Sequence, residues 1–278
     1  MLKQRVVTAV ILVALLLGAL LWSPFAFAIV MAVAFALAQA EWLRLAGWRF
    51  ATAAAFSLAI AALLSFTLLA RPQLLEIVTP PLVAVATVIW AALGGLLVQS
   101  QRKGRLVRVP ASASTLLAVI LTSAAWCALM TFLDVGVVTM LSVLLIVWLA
   151  DTAAYFSGRA FGHAKLASVI SPGKTWAGVW GAMAAVAALA LAADLLWPEA
   201  PLYSSLLLDR LGIGVALPLL ALLVALSIVG DLFESLLKRQ AGAKDSGHLL
   251  PGHGGFFDRL DAMLALLPPA ALFWKLAG

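Results

Sequence analysis

Nine apolar stretches, at about 6–22, 24–40, 52–70, 80–98, 113–132, 136–156, 176–197, 212–230 and 262–276, occupy most of this 278-residue chain. Each approaches the roughly twenty residues that an α-helix needs to cross a bilayer core. In lipid every backbone N–H and C=O must be paired within the segment, so such runs fold as spanning helices. Only 11% of residues are charged and the mean hydropathy is +1.12, leaving too little polar surface to coat a water-soluble fold. The expectation is an all-α, polytopic integral membrane protein with about nine transmembrane helices. Residues 1–278 read as one membrane domain, with N-terminal spans over 1–110 and a second set of spans and longer loops over 111–278.

The connections sharpen this layout. Ser23-Pro24 separates the first two spans and suits a tight helical hairpin, because proline interrupts a helix and excludes its predecessor from the α region. Pro80-Pro81 is expected at the first turn of the fourth span. The segment EWLRLAGWRF, 41–50, interleaves Trp42 and Trp48 with Arg44 and Arg49, a composition expected at the membrane interface. Lys3, Arg5 and the Ala-x-Ala at 26–28 superficially suit a cleavable signal, but further apolar residues follow and cleavage is not expected.

Nine alternating spans place fifteen of the eighteen Lys and Arg residues on the N-terminal side and three, Arg71, Arg210 and Lys275, on the other. By the positive-inside rule the N-terminus and the longer loops are cytoplasmic and the C-terminus lies across the membrane. The net charge of +6 is scattered through short loops rather than gathered in a stripe, so a nucleic-acid partner is not expected. The single cysteine, Cys127, excludes an internal disulfide.

Two cytoplasmic loops carry unusual chemistry. Residues 231–261 hold five of the twelve acids, Asp231, Glu234, Asp245, Asp258 and Asp261, interleaved with Lys238, Arg239, Lys244, Arg259, His248 and His253. Ionisable groups so concentrated beside a membrane point to function. On a continued eighth helix Asp231, Glu234, Ser235 and Lys238 share one face; a water-facing charge ladder is the plainer alternative. Asp258 and Asp261, three apart where the last span begins, also point the same way. Hard cations such as Mg²⁺ select carboxylate oxygens and leave positions for phosphate. Gly252, Gly254 and Gly255 would let backbone N–H groups approach an anion at a helix N-terminus, whereas a flexible turn with Asp258 as an N-cap needs no ligand.

The second segment, Ala150 to Gly178, supplies Asp151, Arg159, Lys165 and Lys174 near an expected helix start at Thr175. Its Gly173-Lys174-Thr175 is not a Walker A loop, since Ser168 stands where the first glycine belongs and no strand is expected before it. His248 and His253 lack the Glu of a zinc-protease helix, and no Gly-x-Ser-x-Gly nucleophile elbow is present.

Together these residues resemble a known family. Ser235 to Asp261, SLLKRQAGAKDSGHLLPGHGGFFDRLD, is similar to the C-terminal motif of the phosphatidate cytidylyltransferases, and GDLFES, ADTAAYFSGRAFG and SPGKTW extend the resemblance through the C-terminal half. The resemblance implies transfer of a cytidylyl group from CTP to phosphatidic acid, with Mg²⁺ and room for a second, monovalent cation, in the cytoplasmic (inner) membrane. It implies an active site at the cytoplasmic ends of the C-terminal spans, and a homodimer. Asp231, Asp258 and Asp261 would bind metal; with Lys238, Arg239 and Lys244 they form the implied catalytic set. Lys174, Arg159, Ser235, His253, Gly254, Gly255 and Arg259 would bind substrate. The chain departs from the family at Gly173, Ala177 and His163, where Lys, Glu and Lys are common. An ion-coupled transporter using the carboxylates as a cation site is the competing reading. A CDP-alcohol phosphotransferase is not expected, because its Asp-Gly-x-x-Ala-Arg pattern is absent.

Overall fold

A computed structural model describes residues 2–277; Met1, Gly278 and the side chains of Leu2, Lys3 and Arg5 lie outside the described residues, so the first two charges counted above are not placed. Ten helices follow one another: α1 (Leu2–Trp22), α2 (Pro24–Leu45), α3 (Phe50–Ala70), α4 (Pro72–Arg102), α5 (Ala111–Val135), α6 (Val137–Phe161), α7 (Trp176–Leu196), α8 (Tyr203–Leu211), α9 (Ile213–Gln240) and α10 (Phe257–Ala277). Eight of them, α2 to α7 with α9 and α10, are long and apolar enough to cross a membrane. The apolar part of α1, Val6–Trp22, is shorter. The protein is a polytopic integral membrane protein.

Local chemistry explains most boundaries. Pro24 opens α2 and the Ser23 hydroxyl accepts the Ala26 N–H at 3.0 Å, so the expected break between the first two spans is also a helix cap. Pro80 and Pro81, expected at a helix start, instead lie inside α4, which begins with Pro72 in its first turn. Pro72 has a free N-terminal position and leaves no interior hydrogen bond unmade, so it is the better initiator. Two features were not anticipated. The loop after α6 forms an antiparallel hairpin of β1 (Lys165–Ala167) and β2 (Ser171–Thr175), with Ala167 and Ile170 buried beneath it. The amphipathic nine-residue α8, far too short to span, packs beside α7 and α9, and its Arg210 guanidinium sits 4.5 Å over the Trp274 ring.

The buried core is centred on α2, α5, α9 and α10. A chain of aromatic rings links four helices: Phe257 stacks on Trp42 at 4.9 Å, Trp42 meets Phe233 at 5.5 Å, and Phe233 meets Trp90 at 5.9 Å. Trp42 is therefore fully buried rather than interfacial, as EWLRLAGWRF had suggested. Its apolar ring is large enough to join three helices, and its indole N–H reaches Ser114 Oγ at 3.0 Å. In α10, Pro268 has no N–H to donate to the Leu264 carbonyl four residues earlier. Trp90 Nε1 donates to that oxygen at 2.9 Å and so satisfies a buried acceptor left over by the helix. Trp90→Phe is expected to lower stability by about 1–3 kcal/mol, because it orphans this carbonyl. Thermal unfolding of the purified chain in detergent measures this; an unchanged midpoint would remove the assigned role.

Hydrogen bonds gather one end of the bundle. Thr8 Oγ1 reaches Pro251 O at 2.9 Å, Arg44 Nη2 reaches Ser246 O at 2.6 Å, Gln101 bonds both Ser168 Oγ and Val169 N, and Gln240 bonds both Val107 O and Val109 N. The start of α1, the α2–α3 and α4–α5 connections, the hairpin and the α9–α10 loop thus meet at one end. These are the segments that carry the positive charge.

Candidate active site

At that end α6, α7, α9 and the hairpin enclose a cavity of about 430 Å³, lined by Asp151, Tyr155, Arg159, Lys174, Thr175 and Asp231 among others. This is within the usual range for a small-molecule site. Small residues make the enclosure tight. A Cβ on Gly158 would meet Thr175 Oγ1 at 3.0 Å, one on Gly178 would meet Ala154 O at 3.0 Å, and one on Gly162 would overlap the Gly158 carbonyl. Close backbone approach through glycine and alanine is a usual way for lipid-embedded helices to pack. Thr175 is the N-cap of α7, as expected, and accepts the Gly178 N–H at 3.2 Å. The lysine before it is thereby aimed at α9.

Lys174 forms an ion pair with Asp231. Burial pulls the Lys174 ammonium toward its neutral form, but Asp231, with Asp151 and Asp261 beyond, outweighs it and holds the pKa above the ordinary lysine value. Lys174 is consequently charged throughout the physiological range. Asp261 enters the same field from α10 and is buried. Gly230 is what brings it there: a Cβ on Gly230 would overlap the Asp261 carbonyl and lie 2.8 Å from Ala265 Cβ, so α9 and α10 touch backbone to backbone beside Asp231.

About two turns further along α9 from Asp231, Lys238 Nζ bridges Glu234 Oε2 and Asp258 Oδ1, both at 2.7 Å. The shared face of Asp231, Glu234 and Lys238 therefore points into the protein, and the water-facing ladder does not occur. Ser235 is half-buried on the same turn. Asp258 Oδ2 accepts Ser246 N at 3.0 Å, Ser246 Oγ at 2.9 Å and Gly255 N at 2.8 Å. The glycine loop thus aims the Gly255 N–H at a carboxylate of its own chain. Gly254, at φ +84°, keeps this turn open, since a Cβ there would lie 2.7 Å from Asp258 Oδ2.

The remaining sequence candidates lie around this centre. Arg159 is exposed at the cavity wall, with Nη1 3.4 Å from the Tyr155 hydroxyl. Arg259 is exposed, and its Nε donates to the His253 carbonyl at 3.1 Å. His253 is half-buried and its Nδ1 has no partner among the described residues. Arg239 is exposed and turned toward the hairpin, with Nε 3.5 Å from Ile170 O, and Lys244 is exposed in the α9–α10 loop. Neither Arg239 nor Lys244 joins the ion-paired cluster. Gly173 faces open space at the cavity, with nothing within 4 Å of a Cβ placed there.

Glu41 was not singled out from the sequence. It is fully buried near the end of α2, and its Oε2 accepts Phe257 N at 2.9 Å and Ser246 Oγ at 3.0 Å. The available signal was an acid inside an otherwise apolar run, which is expensive unless partnered.

Fold and site define a membrane-embedded protein whose charged groups converge beside a cavity at one end of its spans. The profile of the Cytidylyltransferase family matches residues 3–277, and the chain belongs to that family. It is 47% identical over 136 residues to a phosphatidate cytidylyltransferase of Pseudomonas aeruginosa, covering 49% of this chain and 47% of that protein. Identity to the phosphatidate cytidylyltransferase of Brucella suis is 48% over 139 residues, covering 50% of this chain and 47% of that protein, and to that of Thermotoga maritima 36% over 148 residues, covering 51% of each. The chain spans about half the length of the curated relatives it matches.

Proposed function

We propose that this chain is a phosphatidate cytidylyltransferase, transferring CMP from CTP to phosphatidic acid to give CDP-diacylglycerol and pyrophosphate. The observation that carries this reading is the cavity that places the charged side chains of Lys174, Asp231 and Arg159 at one end of an otherwise apolar bundle. Such a place admits a water-soluble nucleotide while acyl tails stay in lipid. Family membership supports the same chemistry. In the reaction a lipid phosphate oxygen bonds to the α-phosphorus of CTP as the bond to the bridging oxygen of the β-phosphate breaks, and pyrophosphate leaves. The lipid phosphate is already largely ionised near neutral pH, so no strong general base is required. The protein's work is to bring two anions together and shield their charge.

Lys174 and Arg159 suit that task from the cavity wall, with Arg259 at the glycine loop. We read Asp231, Asp258 and Asp261 as the Mg²⁺ carboxylates, with Asp151 beside them. Among the described residues no three acidic, histidine or cysteine side chains converge as a ready-made metal site. Mg²⁺ commonly takes one or two protein carboxylates and completes its shell with water and substrate phosphate. Asp151 and Asp231 line the same cavity as Lys174, and carboxylate oxygens are the ligands a hard divalent cation selects. When bound, Mg²⁺ supplies charge neutralisation and alignment of phosphate oxygens. Lys174 can then exchange Asp231 for a phosphate oxygen, since both are anionic acceptors. Asp258 already has protein donors on both oxygens, so its contribution requires Lys238 or the loop amides to yield.

We place the site end in the cytoplasm, read α1 as a ninth span, take the chain as a single domain in the inner membrane, and expect a homodimer. The charge asymmetry supports the orientation. A transporter would place its carboxylates on broken helices near the midplane, whereas α6, α9 and α10 run unbroken through Asp151, Asp231 and Asp261. Membranes containing the chain, given labelled CTP, Mg²⁺ and phosphatidic acid, are expected to release pyrophosphate and form a CDP-lipid. No product above a vector control would overturn the proposal.

A further inference from the structure

We infer that Glu41, on an N-terminal span, is a positioning residue for the catalytic loop, holding Ser246 and the start of α10 so that Asp258 is correctly presented. The inference rests on the proposed activity for its kinetic consequence, but its structural content stands apart from it. Glu41 accepts the N–H of Phe257, the first residue of α10, and thereby caps that helix from another span. The same oxygen faces Ser246 Oγ, and that hydroxyl lies 2.9 Å from Asp258 Oδ2 and 3.2 Å from Asp258 N. One turn later on α2, Arg44 holds the Ser246 carbonyl. Ser246 is thus held by two α2 side chains; its N–H fixes Asp258 Oδ2, and its single hydroxyl proton lies between Glu41 Oε2 and Asp258 Oδ2.

The surroundings are shaped to admit a carboxylate. A Cβ on Gly247 or on Gly255 would overlap the Glu41 carboxyl group, so both flanks of the loop are glycine where the acid enters. Burying an acid here is not an economical route to stability, because well-packed apolar groups of similar volume are generally at least as stabilising. An apolar side chain could fill the space but could accept neither the Phe257 N–H nor the Ser246 O–H. Glu41 Oε1 remains buried without a partner, a further penalty that packing alone does not explain.

Glu41→Ala is expected to lower kcat by about 10–100-fold, the usual range for losing a group that orients a ligand or catalytic side chain, while KM for CTP changes less than about threefold. Glu41→Gln keeps a carbonyl acceptor and is expected to recover most of kcat. Amide hydrogen exchange on the full chain in detergent supplies a readout independent of turnover. Glu41→Ala should accelerate exchange of residues 245–258 at least about tenfold while amides in α4 and α6 stay protected; Glu41→Gln should stay near the parent. Unchanged exchange in Glu41→Ala, or a Glu41→Ala kcat within twofold of the parent, would overturn the inference. If Glu41→Ala fails to insert, Ser246→Ala decides: it should loosen the same segment and lower kcat, and parent-like behaviour in both would equally overturn it. Should the parent chain make no CDP-lipid, the proposed function falls, and exchange over 245–258 still tests whether Glu41 holds the loop.

Discussion

Asp258→Asn is expected to reduce CTP-dependent product formation by on the order of 10²–10³-fold, as removal of a preorganised electrostatic group typically does. The variant should still insert, because α10 remains apolar beyond its first turn. The reason lies in donor and acceptor counting. One Asp258 oxygen faces the Lys238 ammonium, and the other faces two backbone N–H groups and the Ser246 hydroxyl. Asparagine has one acceptor oxygen and one NH₂, so either orientation turns a donor toward donors. If NH₂ faces Lys238, the ammonium loses its second carboxylate. If NH₂ faces the loop, Ser246 N and Gly255 N are left without their acceptor. Either result alters the loop as well as removing a charge that could hold metal. Labelled CTP turnover at matched levels of inserted protein measures the effect, and normal turnover would sink the assignment of Asp258.

Much of this centre was legible in sequence because a lipid-facing chain makes charge conspicuous. Asp231, Lys238, Asp258 and Asp261 stood out against apolar neighbours, and helical spacing correctly put Asp231 and Lys238 on one face. What spacing could not supply was the opposing surface. Glu41 meets Ser246 across 205 residues and Phe257 across 216, and no local pattern encodes such a meeting. Trp42 failed for a related reason: tryptophan beside arginine suggests an interface, but the ring goes into the core while Arg44 serves a loop from another part of the chain. The hairpin was missed because β1 and β2 have only three and five residues and show no strand-like alternation. Pro80-Pro81 misled because the helix already starts at Pro72, and proline need not mark a helix start. Inside a span it is tolerated, since neighbouring groups can satisfy the carbonyl it frees, as Trp90 does for Leu264.

Gly230→Ala is expected to be among the most damaging changes at residues that carry no functional group. Its methyl would overlap the Asp261 carbonyl oxygen and press on Ala265 Cβ, and both obstacles belong to α10, so no flexible side chain can swing aside. Relief requires the helices to separate. Asp231 follows Gly230 directly and Asp261 is the residue struck, so separation displaces two carboxylates at once. A misplacement of about 1 Å can cost on the order of a hundredfold in rate, and overpacking about 1–3 kcal/mol in stability. Gly95→Ala provides the contrast, since nothing lies within 4 Å of its added methyl and it too sits within a spanning helix. Alanine favours a helix over glycine by roughly 1 kcal/mol, so intrinsic propensity would stabilise both variants. Only contact with α10 separates them. The expected result is a large loss of turnover and a lowered unfolding midpoint for Gly230→Ala, with Gly95→Ala at or slightly above the parent in both. Equal turnover in the two variants would show that close contact of α9 with α10 does not set the position of Asp231 and Asp261.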